Sequence, residues 1–466
     1  MTQLLLASTL YQCLSLAAAD DAGLLPGDAG EERILVLANS SQVPEVTGRL
    51  QDTAGFDRVA ARFDRVLDLG DLIYPRRPPQ FGPQHEELRM WQTLLRSHWD
   101  LGDEPVSLVL DSVHVNPGIA LSRIFSAAPL VVHSDGLMVY GPTRKALAPE
   151  IAQRLDGLLY LDLVPGLAPQ LLREYQLPVT AIPAAALRTV VTQMTETPDP
   201  ELDAVLGRVA APPTSALILG QYLTELRLIT REEETELHFD MLLTAAERGI
   251  STCIFKPHPS AGRASTQILV DEANRLGMDM VVLDLPAPAE VVMAKARPDL
   301  VIGAFSTAMA TARYVFDIDA AAIGTSLLLE RITPYENSNR VPITIVDALL
   351  VRSLWAPAGQ GAPSGQPDGQ HPAPLQQLVD AVAYCMQPVN LASLRDHAVG
   401  FLDSATETEV TRYFKRRRLT SLDLPGALPA GRRALALASR IPPRVRAKVP
   451  RKMRGLSRRA LAAVAE

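Results

Sequence analysis

The feature that most constrains this chain is its repeated alternation of short apolar runs with longer helix-period stretches. Short runs rich in Val, Ile and Leu occur at Gln3–Ala7, Ile34–Ala38, Val66–Leu69, Val106–Asp111, Leu130–His133, Leu158–Asp162 and Val179–Ile182. Each is a strand pattern bounded by turn residues, with room for a helix before the next. Strands that alternate with helices form βαβ units, and these build a parallel sheet. The segment from Thr195 to Thr214 then carries Pro198, Pro200, Pro212 and Pro213 around one short helical pattern, which reads as a linker. The alternation resumes with strands at Ala216–Leu219, Thr252–Phe255, Met280–Leu283, Leu300–Ile302 and Ala320–Ile323, and helices at Glu232–Glu247 and Ser265–Leu276. A length of 466 residues suits two domains better than one. The expectation is an α/β protein with an N-terminal domain over 1–195, a linker over 196–214 and a C-terminal domain over 215–400. Within the latter, 355–374 is rich in Gly and Pro and reads as a disordered insertion.

In such sheets ligands bind where strands end. One strand ends in Phe255-Lys256-Pro257-His258-Pro259, where two prolines stiffen the chain and fix a cation and an imidazole two residues apart. That pair suits a phosphate; its plainer reading is a proline-rich turn with two solvated side chains. Downstream, Leu300-Val301-Ile302-Gly303-Ala304-Phe305-Ser306-Thr307 passes from strand through a small-residue turn into a helix. Ser306 and Thr307 fall at the helix start, where hydroxyls and free N–H groups receive anions. Glu290 lies in the first turns of a short helix, as a ligand contact or a solvated glutamate. Leu130-Val131-Val132-His133-Ser134-Asp135-Gly136 ends a strand with a carboxylate, either a functional group or a turn aspartate.

These segments, in this order, resemble the bacterial sialyltransferases and polysialyltransferases of the GT-B fold. The family's Asp/Glu-Asp-Gly motif is matched by Ser134-Asp135-Gly136, with Ser134 where an acidic residue is common. Its Lys-Pro-His-Pro and Ser-Ser/Thr motifs are matched by Lys256-Pro257-His258-Pro259 and Ser306-Thr307. Ile218-Leu219-Gly220-Gln221 and Pro288-Ala289-Glu290 are also family-like, and the resemblance covers roughly residues 1–350.

The resemblance implies two Rossmann-like domains facing a central cleft, with CMP-sialic acid as donor and a glycan or glycolipid as acceptor. It implies transfer with inversion, Asp135 as acceptor-side base and His258 assisting the departing CMP. Lys256, Pro259, Glu290, Ser306, Thr307, Gly220 and Gln221 would line the CMP site. With Lys, His and a helix start balancing the phosphate, neither metal nor cofactor is required. Two other readings stay open: a GT-B enzyme for another CMP-nonulosonic acid or a UDP-sugar epimerase, and a silent sugar-nucleotide-binding protein.

Charge is uneven. From Phe401 onward sixteen Lys/Arg face five Asp/Glu, giving +11; with −7 for the whole chain, the rest carries −18. An acidic body argues against nucleic acid as a partner. The basic segment 401–466 reads either as a solvated tail or as a contact for an anionic membrane surface. Cys13, Cys253 and Cys385 are too scattered for a disulfide framework or zinc site. Asp317-Ile318-Asp319 mimics a metal motif but runs into an apolar strand. The N-terminus lacks a signal peptide's basic flank, and no apolar run is long enough to span a bilayer. The expected location is the cytoplasm, with the basic segment offering a peripheral contact at the inner membrane face.

Overall fold

The computed structural model describes residues 1–27, 30–40, 48–209, 214–221, 223–257, 263–352 and 373–428. Among the described residues, twelve strands form two sheets. The first takes β1 (Thr2–Ala7), β2 (Glu32–Leu37), β3 (Arg65–Asp68), β4 (Val106–Leu110), β5 (Leu130–Ser134), β6 (Leu155–Leu161) and β7 (Val179–Ile182). The second takes β8 (Ser215–Leu219), β9 (Thr252–Lys256), β10 (Asp279–Val282), β11 (Leu300–Gly303) and β12 (Asp319–Ala322). Their orders are β3-β2-β1-β4-β5-β6-β7 and β10-β9-β8-β11-β12. Every pairing is parallel.

Sequence and sheet agree because the central strands are covered on both faces. All residues of β1, β4 and β8 are buried, as their unbroken apolar composition requires. The strand order reverses beside β1 in the first sheet and beside β8 in the second. At such a reversal the two neighbouring connections leave to opposite faces, and a crevice opens at the strands' carboxyl ends. Two parallel α/β units that face each other across a cleft make the GT-B plan.

After β12 the chain returns to the first unit. The helix Ala373–Met386 docks there, with Gln376 Oε1 accepting from the Ala168 N–H at 2.8 Å and Asp380 Oδ1 accepting from Gln170 Nε2 at 2.7 Å. The expected tail begins differently from its sequence reading. Helices Arg395–Ser404, Glu407–Tyr413 and Arg416–Leu422 occupy residues past 394 and are packed. Buried Asp347 anchors them, accepting from Arg412 Nε at 2.6 Å, Tyr413 Oη at 2.7 Å and Thr325 Oγ1 at 2.6 Å. Arg418, the last of three successive arginines, donates to the Cys385 carbonyl at 2.7 Å. The rest of the basic segment, from 429, and nearly all of the expected insertion lie outside the described residues. No described helix is long and apolar enough to cross a membrane.

Candidate active site

At the reversal in the first sheet, β1 ends at Ala7 and the chain turns through Ser8 into the helix Leu10–Asp21, capped by Thr9. Ser8 Oγ donates to Asp111 Oδ2 at 2.5 Å, bridging the exits of β1 and β4. The Ser8 N–H donates to Gln12 Oε1 at 2.7 Å, and the Gln12 side chain in turn hydrogen-bonds the Asp135 carboxylate. Asp135 follows β5 at the floor of the cleft, half-buried with protein around it. Burial pushes its carboxyl above the usual aspartate range, and nearby Asp111 adds to this. His133 opposes it from two residues back on the same strand. That imidazole is 1% exposed, with Nε2 2.7 Å from the Leu6 carbonyl oxygen.

The second unit supplies the opposite wall. Lys256 closes β9 and donates to the Leu285 carbonyl at 3.3 Å. Burial lowers its basicity, while Glu290 and Asp284 hold its proton. Glu290 is only 6% exposed, on the first turn of the helix Ala289–Ala296. Burial pushes its carboxyl to about 7, partly offset by its own backbone N–H, by Lys256 and by a hydrogen bond with Thr311. Thr311 Oγ1 also lies 3.1 Å from Tyr11 Oη, so a polar chain crosses between the units.

Ser306 caps the helix Thr307–Tyr314, its Oγ accepting from the Ala308 N–H at 3.2 Å. Thr307 reaches across the cleft, where its Oγ1 accepts from the Leu137 N–H at 3.4 Å. A Cβ added to Gly136 would come 3.1 Å from that hydroxyl, so the glycine permits this close approach. The Gly220 N–H donates to the Lys256 carbonyl at 2.9 Å and holds the exits of β8 and β9 in register.

Gln221 faces inward rather than into the cleft with its carbonyl oxygen. Oε1 accepts from the N–H groups of Ala304 and Phe305 at 2.8 and 2.9 Å. It therefore shapes the loop that presents Ser306. His258 and Pro259 lie outside the described residues.

Asp135, Lys256, Glu290, Ser306 and Thr307, separated by up to 172 residues in sequence, thus border one cleft. Sequence reasoning missed Tyr11, Gln12, Asp111 and Thr311. Asp111 follows β4 beside the sheet's reversal, a position that only the strand order reveals. Asp317 and Asp319 pair with Arg188 and Arg313. A cavity of about 300 Å³ is lined by Arg49, Thr195, Leu285, Pro288, Val291 and Lys295 among others, and by none of Asp135, Lys256, Glu290, Ser306 and Thr307.

The arrangement places the Asp135 carboxylate on one side and Lys256, the capped start of the helix Thr307–Tyr314 and the buried Glu290 carboxyl on the other. The sequence profile of the alpha-2,8-polysialyltransferase family matches residues 3–325. No curated protein matches the chain. Among solved structures, the GT-B domain of a Photobacterium damselae sialyltransferase is similar at 13% identity and TM-score 0.41, covering 74% of this chain and 96% of that one. UDP-GlcNAc 2-epimerase from Methanocaldococcus jannaschii is similar at 12% identity and TM-score 0.41, covering 69% and 83%. A point mutant of Thermobaculum terrenum O-GlcNAc transferase is similar at 13% identity and TM-score 0.35, covering 91% and 66%. The profile match spans more than half of the sequence, and on it the chain belongs to the alpha-2,8-polysialyltransferase family and is a glycosyltransferase of the sialyltransferase class.

Proposed function

We propose that the protein transfers sialic acid from CMP-sialic acid to a hydroxyl of a glycan or glycolipid acceptor, with inversion and without a metal ion. The observation that carries this reading is the contact between the turn after Asp135 and the Ser306/Thr307 helix start, Leu137 N to Thr307 Oγ1 at 3.4 Å. It brings the turn after Asp135 close to the helix start at Ser306 and Thr307, which supports the reading.

In this reading the acceptor oxygen attacks the anomeric carbon from the face opposite CMP, and its proton passes to Asp135. The bond from the sugar to the phosphate oxygen breaks, and its electron pair leaves with CMP. Burial raises the proton affinity of Asp135 and makes it a stronger base than a solvated aspartate. Lys256 supplies fixed positive charge for the departing phosphate, and His258, two residues on, donates a hydrogen bond or proton to it. Ser306 and Thr307 hold the same phosphate with their hydroxyls and the helix start. Glu290 accepts from the ribose hydroxyls. Lysine and helix terminus together provide the countercharge that a metal would otherwise supply.

We take 1–195 and 215–400 as the two functional units joined by 196–214, with acceptor chemistry on the first and nucleotide chemistry on the second. The protein would act in the cytoplasm on surface polysaccharide, its basic C-terminal segment resting on anionic lipid. The deciding experiment measures CMP release from CMP-sialic acid, with and without glycan acceptors and with EDTA. Acceptor-stimulated, EDTA-resistant release with an inverted product supports the reading. CMP release only from another CMP-nonulosonic acid, epimerisation of a UDP-sugar, or binding without turnover would replace it.

A further inference from the structure

We infer that Asp111 and His133 form a tuning pair behind Asp135, setting from opposite directions how readily that carboxylate takes a proton. The inference rests on Asp135 acting as the acceptor-side base. Its geometric ground is the register of adjacent strands. Leu110 of β4 pairs with Val132 of β5, so Asp111 stands level with His133, and Asp135 follows two residues later with the same side-chain parity. Asp111 and His133 therefore stand side by side where β4 and β5 end, with Asp135 just beyond the exit of β5.

Each member of the pair is fixed on one side and open on the other. Ser8 Oγ holds Asp111 Oδ2 at 2.5 Å, while Asp111 Oδ1 is buried with no hydrogen-bond partner. His133 Nε2 is bound to the Leu6 carbonyl at 2.7 Å, while its buried Nδ1 has no partner either. A buried, unpaired polar atom is costly, so two of them beside a third titratable group mark a place where charge or a proton is held. Asp111 raises the proton affinity of Asp135, and His133 lowers it while its imidazole is protonated, a form that burial disfavours.

Other groups face Asp135 as well. Tyr11 and Cys13, from the helix Leu10–Asp21, are both pushed upward by burial and stay neutral near pH 7. Glu290 faces it from across the cleft and titrates near 7, answering to Lys256, Asp135 and Thr311 rather than to Asp111 or His133.

The test is the pH dependence of kcat/KM for the acceptor in the full chain. Asp111→Asn keeps an oxygen for Ser8, and His133→Gln keeps a donor for Leu6. Asp111→Asn should move the acidic limb to lower pH and His133→Gln to higher pH, each by on the order of one unit. Where circular dichroism shows either to be unfolded, Asp111→Ser and His133→Asn serve instead. A limb that stays in place in both variants, as one owned by Glu290 would, overturns the inference, and so does a shift of both in one direction. Failure of the underlying reading looks different: Asp135→Asn would then retain transfer with the wild-type pH profile.

Discussion

Glu290→Gln should stabilise the protein at alkaline pH and change it little at acidic pH. The carboxyl is buried, 6% exposed, and burial lifts it from an ordinary 4.5 to about 7. Folding therefore favours its protonated form. The stability tied to this proton is fully present below 4.5 and is lost as pH rises through 7. One pKa unit corresponds to about 1.4 kcal/mol, so ionisation costs the wild type about 2–3 kcal/mol between pH 5 and pH 8. Glutamine resembles the protonated carboxyl and escapes that loss. Urea unfolding followed by far-UV circular dichroism at the two pH values measures the difference. The variant should gain on the wild type by that amount at pH 8 relative to pH 5. An equal offset at both values would refute the argument that Glu290 titrates near neutrality inside the fold.

Ser306→Ala with Thr307→Ala should weaken CMP binding in calorimetry; unchanged affinity would mean that this helix start holds no phosphate. His258→Ala should leave far-UV circular dichroism unchanged and slow transfer by roughly 10²- to 10⁴-fold, the range for a lost general acid. Near-wild-type turnover would remove His258 from the leaving-group role. Full-length protein should sediment with anionic vesicles in a salt-sensitive way, and a truncation after residue 428 should not. Equal binding by both would exclude the basic segment as the contact.

Much of the fold was legible because the parallel strands are short, apolar and set apart by turn residues. Gln3–Ala7, Ile34–Ala38 and Leu300–Ile302 each fall within two residues of β1, β2 and β11. The positions of Asp135 at a strand exit and Ser306 at a helix cap follow from the same local pattern. What stayed hidden depends on neighbours that only register creates. Glu290 looks like any first-turn glutamate until Lys256, Thr311 and Tyr11 close over it. Asp111 acquires meaning only once β4 lies between β1 and β5. Gln221 reads as a cleft residue in sequence, and only the loop from β11 shows where its oxygen goes. Residues 401–428 read as tail because their basic runs mask the apolar Val410, Phe414 and Leu419 that dock them.

The central claim is that acceptor chemistry belongs to Asp135 and nucleotide chemistry to the opposite wall of the cleft. Asp135→Asn separates the two. CMP release from CMP-sialic acid, measured with a glycan acceptor alongside the calorimetric affinity for CMP, tests the division directly. The account predicts that acceptor-dependent release is abolished while CMP affinity stays at the wild-type value. A loss of CMP affinity comparable to the loss of rate would place Asp135 in the donor site and contradict it.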